Sequence, residues 1–239
     1  MKLICYLSNG FPNLETSVQL ASVYAEAGCD VIEIDFPAVD PYLEGAFIRE
    51  RMAASLAACA DYTQYMKAIQ SVVKNNPNTA VMILAYERTI QTIGPDRFAS
   101  FCLENGLQDI IYVGTEFPET RQALVDQGLS IASYVRFHLP KSDIDAAKQT
   151  NGFIYLQAKP SDAVHPKYPT LKDCLAYLRE EEGFNRPIYC GVGISTPEDV
   201  AMARQAGADG VFVGSAILKL YQDHDALSAQ IKALKAQTT

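Results

Sequence analysis

The sequence has no apolar run approaching the ~18 residues of a membrane span, which excludes a helical integral membrane protein. It has no Cys-x-x-Cys pair. Cys5, Cys29, Cys59, Cys102, Cys174 and Cys190 are scattered, most of them in apolar runs, so we expect buried, reduced thiols and no disulfide or thiolate metal framework. It has 3 histidines, His138, His165 and His224, too few and too dispersed for a metal site. It lacks a basic excess. The net charge of -8 argues against a nucleic-acid partner, which demands a cationic footprint. It leaves an anionic small molecule open, because backbone N–H groups bind phosphate locally. No leader pattern precedes the first strand-like run, Leu3–Leu7, and a cytoplasmic protein is expected.

What is present is a regular alternation. The 239 residues carry β-rich runs near Leu3–Leu7, Val31–Asp35, Ala80–Ala85, Asp109–Val113, Ser130–Arg136, Phe153–Ala158, Pro187–Val192 and Gly210–Val213. Segments with helical spacing lie between them. Between Gly45 and Lys74 there is room for two helices. Strands alternating with helices imply right-handed βαβ units and a parallel sheet. Eight such units favour a closed α/β barrel, a (β/α)8 TIM barrel, over an open sheet. With no linker or break in composition, residues 1–239 are expected to form one domain.

Three strand ends carry candidate chemistry, because barrel active sites sit there. In Val31-Ile32-Glu33-Ile34-Asp35 the alternation puts Glu33 and Asp35 on one face and the isoleucines on the other. The isoleucines suit the helix layer, so the carboxylates point into the mouth. There they form either an acid/base pair with raised pKa or a hydrogen-bonded pair at a wet rim. The following loop, Phe36 to Gly45, is long and acidic; Glu44 is either a second acid/base group or a solvated loop residue. The third is glycine-rich. Gly191-Val192-Gly193-Ile194-Ser195 precedes a helix start at Thr196-Pro197, and Gly214-Ser215 follows the last strand. Glycines let backbone N–H groups approach phosphate oxygens, so this end is expected to bind a phosphorylated ligand. The strand-six loop, Lys159 to Pro169, offers Lys159, His165 and Lys167 either to an anionic substrate or to solvent.

At these residues the chain resembles the α subunit of tryptophan synthase. Glu33-Ile34-Asp35-Phe36-Pro37-Ala38-Val39-Asp40-Pro41-Tyr42-Leu43-Glu44-Gly45 is similar to that family's strand-two signature, roughly E-L-G-x-P-[FY]-S-D-P-x-A-D-G. Tyr6-Leu7-Ser8-Asn9-Gly10-Phe11-Pro12 resembles its first strand and turn, and the two glycine segments resemble its phosphate end. The resemblance implies a lyase of tryptophan biosynthesis that cleaves indole-3-glycerol phosphate to indole and glyceraldehyde 3-phosphate, without a cofactor or metal. It places Glu33 and Glu44 on the catalytic carboxylates. Tyr155 falls on an active-site tyrosine, Tyr6 and Tyr86 on aromatic positions near the indole pocket, and Gly193, Gly214 and Ser215 on phosphate contacts. It implies a pyridoxal-phosphate-bearing β subunit as partner, met through the loop around Pro37, Asp40 and Pro41.

The chain departs from the pattern in several places. Glu44 stands for an aspartate, and one extra methylene moves its head by about 1 Å, a displacement that can cost about 10²-fold. Asp35 stands for a glycine. Thr115 stands near a position the family fills with aspartate. The stretch from Phe153 to Glu182 has no glycine, so one phosphate contact of the family is missing. These departures leave two alternatives: a homologous barrel for another phosphorylated substrate, and a weakly catalytic activator of a β-type partner.

Overall fold

The computed structural model of the chain describes residues 1–161 and 163–239. Nine strands form one wholly parallel sheet: β1 (Lys2–Leu7), β2 (Val31–Asp35), β3 (Ala80–Tyr86), β4 (Asp109–Val113), β5 (Ser130–Ile131), β6 (Ser133–Val135), β7 (Ile154–Gln157), β8 (Ile188–Gly191) and β9 (Gly210–Val213). Their order is β5-β4-β3-β2-β1-β9-β8-β7-β6. The two ends of that order, β5 and β6, are pieces of one segment separated by Ala132. The Ala132 N–H still bonds Ile110 on one side, and the Ser133 N–H bonds Phe153 on the other. The ring therefore closes as eight staves, the expected (β/α)8 barrel, with the fifth stave broken at Ala132.

The period-2 alternation sorts side chains into two cores. Ile32, Ile34, Ile83, Ile110, Ile154, Ile188 and Val211 point outward into the layer shared with the helices. Ile4, Val31, Met82, Phe153, Tyr189 and Phe212 point inward and fill the barrel below the mouth. Three of these rings pack against one another: Phe153 and Tyr189 at 4.8 Å, Phe153 and Phe212 at 5.9 Å. The barrel floor is thus closed by aromatic side chains, and open space remains at the C-terminal strand ends.

Local signals start and stop the helices around this ring. Asn13 caps Leu14–Glu26 by accepting the Thr16 N–H. Two helices, Ala46–Ala58 and Tyr62–Asn75, occupy the second connection. Thr196 and Asp199 form a capping box on Pro197–Ala206, whose proline takes a position needing no N–H donor. Among the described residues the six cysteines are unpaired, and no helix is long and apolar enough to cross a membrane.

Candidate active site

A cavity of about 710 Å³ opens at the C-terminal ends of the strands. Tyr6, Glu33, Glu44, Tyr155, Gly193, Gly214 and Ser215 all line it. The carboxylates of β2 and its loop thus share one chamber with the glycine end of β8 and β9, with β1 between β2 and β9.

Glu33 is 6% exposed. Burial pushes its carboxyl well above the usual range, and the charges of Glu44 and Asp35 push it further. Such a carboxyl keeps its proton to higher pH than an ordinary one, as a general acid requires. Glu44 comes from the loop. Burial raises its pKa also, while the hydrogen bond donated by the Tyr86 hydroxyl works in the opposite direction. Tyr155 stacks flat on Phe212, centroids 4.2 Å apart and planes 9° apart. This fixes one wall for a planar ring.

Two candidates sit differently from the sequence expectation. Tyr86 does not line the cavity; it reaches the site through Glu44, at 3.2 Å. Asp35 does not line it either. It is 1% exposed behind Tyr6, whose hydroxyl donates to Asp35 Oδ2 at 2.6 Å. The third carboxylate expected in the mouth is therefore a buried, hydrogen-bonded one.

The glycine end divides its labour. Gly191 is glycine for packing: a Cβ there would meet the Tyr155 hydroxyl at 2.3 Å. The Ser195 and Thr196 N–H groups are already held by Asp199 Oδ2, at 2.9 and 3.2 Å. Gly193, with φ +99°, carries the turn itself, and the stem of Lys159 crosses it within 3.1 Å of where a Cβ would stand. Lys159 Nζ donates to Asp199 Oδ1 at 2.5 Å. Of the other basic candidates in that loop, His165 stacks on Tyr168 and accepts the Lys167 N–H, and Lys167 pairs with Glu181. Lys159 alone of the three is placed against the glycine end. Asp162 of the same loop lies outside the described residues.

The sequence reading missed Glu87. It is 4% exposed, and its carboxylate accepts the Glu116 N–H at 2.9 Å, the Phe117 N–H at 3.3 Å and the Tyr112 hydroxyl at 3.0 Å. It grips the end of β4 and the turn after it, where Tyr112, Val113, Gly114 and Thr115 line the cavity. A carboxylate at the immediate end of β3 was the available signal.

Compared with known proteins, the chain matches the family model "Tryptophan synthase alpha chain" over residues 1–239. The chain belongs to the tryptophan synthase alpha chain family. It is 29% identical over 229 residues to the tryptophan synthase alpha chain of Pelobacter propionicus, covering 93% of this chain and 84% of that one. It is 27% identical over 244 residues to that of Novosphingobium aromaticivorans, covering 98% and 90%. Among solved structures it resembles tryptophan synthase subunit alpha from Legionella pneumophila, with TM-score 0.82, 25% identity, and 99% and 92% of the two chains covered. Tryptophan synthase from M. tuberculosis shares the fold, with TM-score 0.83 at 23% identity over 100% and 93%. Among the described residues no group of three His, Cys, Asp or Glu is placed to hold a metal ion.

Proposed function

We propose that this lyase of the tryptophan synthase alpha type cleaves indole-3-glycerol phosphate through Glu33 and Glu44, with its phosphate at Gly193, Gly214 and Ser215. One observation carries the reading: the two carboxyls and the glycine end face a single chamber of about 710 Å³. Glu33, whose pKa burial raises, gives its proton to the indole ring carbon that bears the side chain. Glu44 takes the proton of the ring nitrogen. Glu33, now ionised, accepts the proton of the side-chain hydroxyl next to the ring. The oxygen forms a carbonyl and the carbon–carbon bond breaks. Its electron pair returns to the ring, whose nitrogen recovers a proton from Glu44. Indole and glyceraldehyde 3-phosphate leave, and both carboxyls are restored. The protein supplies proton transfer and positioning, and the scheme uses no cofactor.

The Tyr155–Phe212 stack would form one wall for the indole ring, and Tyr86 would hold Glu44 for its step. The same reading gives the chain, as one domain in the cytoplasm, a β-type partner bearing pyridoxal phosphate. The loop around Pro37, Asp40 and Pro41 is the docking element. Its Val39 and Leu43 are 88% and 65% exposed, apolar side chains with no cover in the chain itself.

Steady-state release of indole from indole-3-glycerol phosphate tests the reaction, with Glu33→Gln as the control. Loss of turnover in the variant is expected. Full activity in Glu33→Gln would remove that residue from its role, and failure of inorganic phosphate to compete would remove the anchor.

A further inference from the structure

Glu33, Asp35 and Glu44 lie within one short stretch of chain, yet the cavity reaches only Glu33 and Glu44. Asp35 is turned toward β1. Its Oδ2 accepts the Tyr6 hydroxyl hydrogen at 2.6 Å, and its Oδ1 accepts the Asn9 N–H at 2.6 Å. The carboxylate is thus fixed at both oxygens by β1 and the turn after it. Tyr6, in contrast, lines the cavity, and it is the register partner of Glu33 across the β1–β2 pair. A phenol has one hydrogen to give. Above about pH 7, where the Asp35 carboxyl is ionised, that hydrogen is committed to Asp35, and the Tyr6 oxygen offers an incoming molecule lone pairs alone.

We propose that Tyr6 is a substrate-contacting hydrogen-bond acceptor and that Asp35 is its positioning residue, the pair receiving a hydroxyl of the substrate's glycerol chain beside Glu33. This rests on the functional reading above. The chemistry selects the hydroxyl. A lone pair repels the phosphate. The ring carbons carry no donor. The ring N–H belongs to Glu44 in the proposed reaction. The chain hydroxyls are the donors that remain, and they sit between the ring and the phosphate, as Tyr6 sits between Glu33 and the glycine end. Without Asp35 the phenol hydrogen would be free to rotate, and the same atom would present a donor as readily as an acceptor.

The groups that face Asp35 are Tyr6 from β1, Glu33 on its own strand and Glu44 from the loop, with Arg51 from Ala46–Ala58 and Tyr65 from Tyr62–Asn75. Asp35 and Glu44 are the carboxylates whose charges raise Glu33. Removing the Asp35 charge therefore makes Glu33 a stronger acid.

The test is a double-mutant cycle on cleavage of indole-3-glycerol phosphate with Tyr6→Phe, Asp35→Asn and both together. Each single variant is expected to lower kcat/KM about 10-fold, the effect of one lost hydrogen bond of about 1.4 kcal/mol. The double variant is expected to be no worse than either single one. Asp35→Asn is also expected to move the high-pH limb of kcat/KM, where Glu33 loses its proton, to lower pH; a merely structural role would leave that limb in place. An analogue with hydrogens in place of the chain hydroxyls should bind wild type and Tyr6→Phe equally. Losses that multiply in the double variant, or an analogue that loses as much affinity as the substrate, would overturn the proposal. If Asp35→Asn does not fold, Asp35→Gly, which carries the residue of the family's pattern, completes the cycle. If wild type cleaves nothing, the functional reading fails first. Binding of the substrate against the hydroxyl-free analogue, in wild type and Tyr6→Phe, then still decides on the pair.

Discussion

Tyr86 donates its hydroxyl hydrogen to Glu44 Oε1 across 3.2 Å, joining the end of β3 to the loop that follows β2. Tyr42 from the same loop packs edge-on against the Tyr86 ring, centroids 5.5 Å apart. Glu44 is a loop residue, and a long side chain on a loop loses rotamer freedom when it is fixed. The tyrosine supplies that fixation from the end of β3, where its backbone is in register with Val113 of β4.

Tyr86→Phe therefore removes a tether without removing a carboxylate. We expect kcat for indole release to fall roughly 10-fold, less than the about 10²-fold that a displacement of about 1 Å can cost. Because the hydrogen bond lowers the Glu44 pKa, the variant should also shift the pH at which Glu44 becomes a base upward. Kinetics across pH check both. An unchanged kcat with an unmoved limb would show that the loop holds Glu44 by itself.

Gly191 makes a second, steric prediction. Its missing side chain is the space that the Tyr155 ring occupies while it lies flat on Phe212. Gly191→Ala puts a carbon 2.3 Å from the Tyr155 hydroxyl, so the ring must leave the stack or the strand must shift. Overpacking of this kind typically costs about 1–3 kcal/mol. Denaturant unfolding should show that loss, and near-ultraviolet circular dichroism should show a changed tyrosine environment. A stable variant with an unchanged spectrum would mean that the wall of the ring pocket is soft.

The alternation of strands and helices made the barrel legible, since eight apolar runs at βα spacing have few other solutions. The inward face of β2 was legible from the period of two, and Ile32 and Ile34 do point outward. What a one-dimensional reading could not carry is the reach of a side chain from a neighbouring strand. Tyr6 and Asp35 are 29 residues apart in sequence, so nothing local marks Asp35 as covered. The Gly191-to-Ser195 segment shows the same limit from the other direction. Its residues look alike in a motif, yet Gly191 serves Tyr155, Ser195 serves the cap at Asp199, and Gly193 is its glycine at positive φ, next to Val192 at φ +60°.

That division predicts which of them governs the anion binding proposed for this end. Gly193→Ala places a Cβ at φ +99° and within 3.1 Å of three Lys159 carbons. The turn and the lysine cannot both keep their places. The effect should appear as weaker competition by inorganic phosphate and a higher KM for the phosphorylated substrate, by 10-fold or more on the scale of ~1.4 kcal/mol per decade. Lys159→Gln gives the complementary measurement. Its ion pair with Asp199 has side chains 45% and 14% exposed, and a half-exposed pair contributes about 0–1 kcal/mol. Stability should therefore barely change in Lys159→Gln. An intact phosphate Ki in Gly193→Ala would separate this turn from the anchor.

Asp35 yields the last prediction, in stability rather than rate. Burial raises its carboxyl from the ordinary 3.8 to about 7, against the opposing pull of the Tyr6 and Asn9 hydrogen bonds. The folded state therefore holds a proton over that interval which the unfolded chain has released. Stability changes with pH as the difference between protons bound in the unfolded and folded states, and here that difference is negative. The Asp35 contribution is thus fully present below about pH 4 and is lost as pH rises toward 7. Asp35→Asn cannot titrate, so the wild-type stability minus that of the variant should decline steadily across this window and level off above it. Denaturant midpoints measured at intervals from pH 4 to pH 8 read the difference directly. A difference that stays flat would place the Asp35 carboxyl in its ordinary range, paired strongly enough with Tyr6 and Asn9 to remain charged where it is buried.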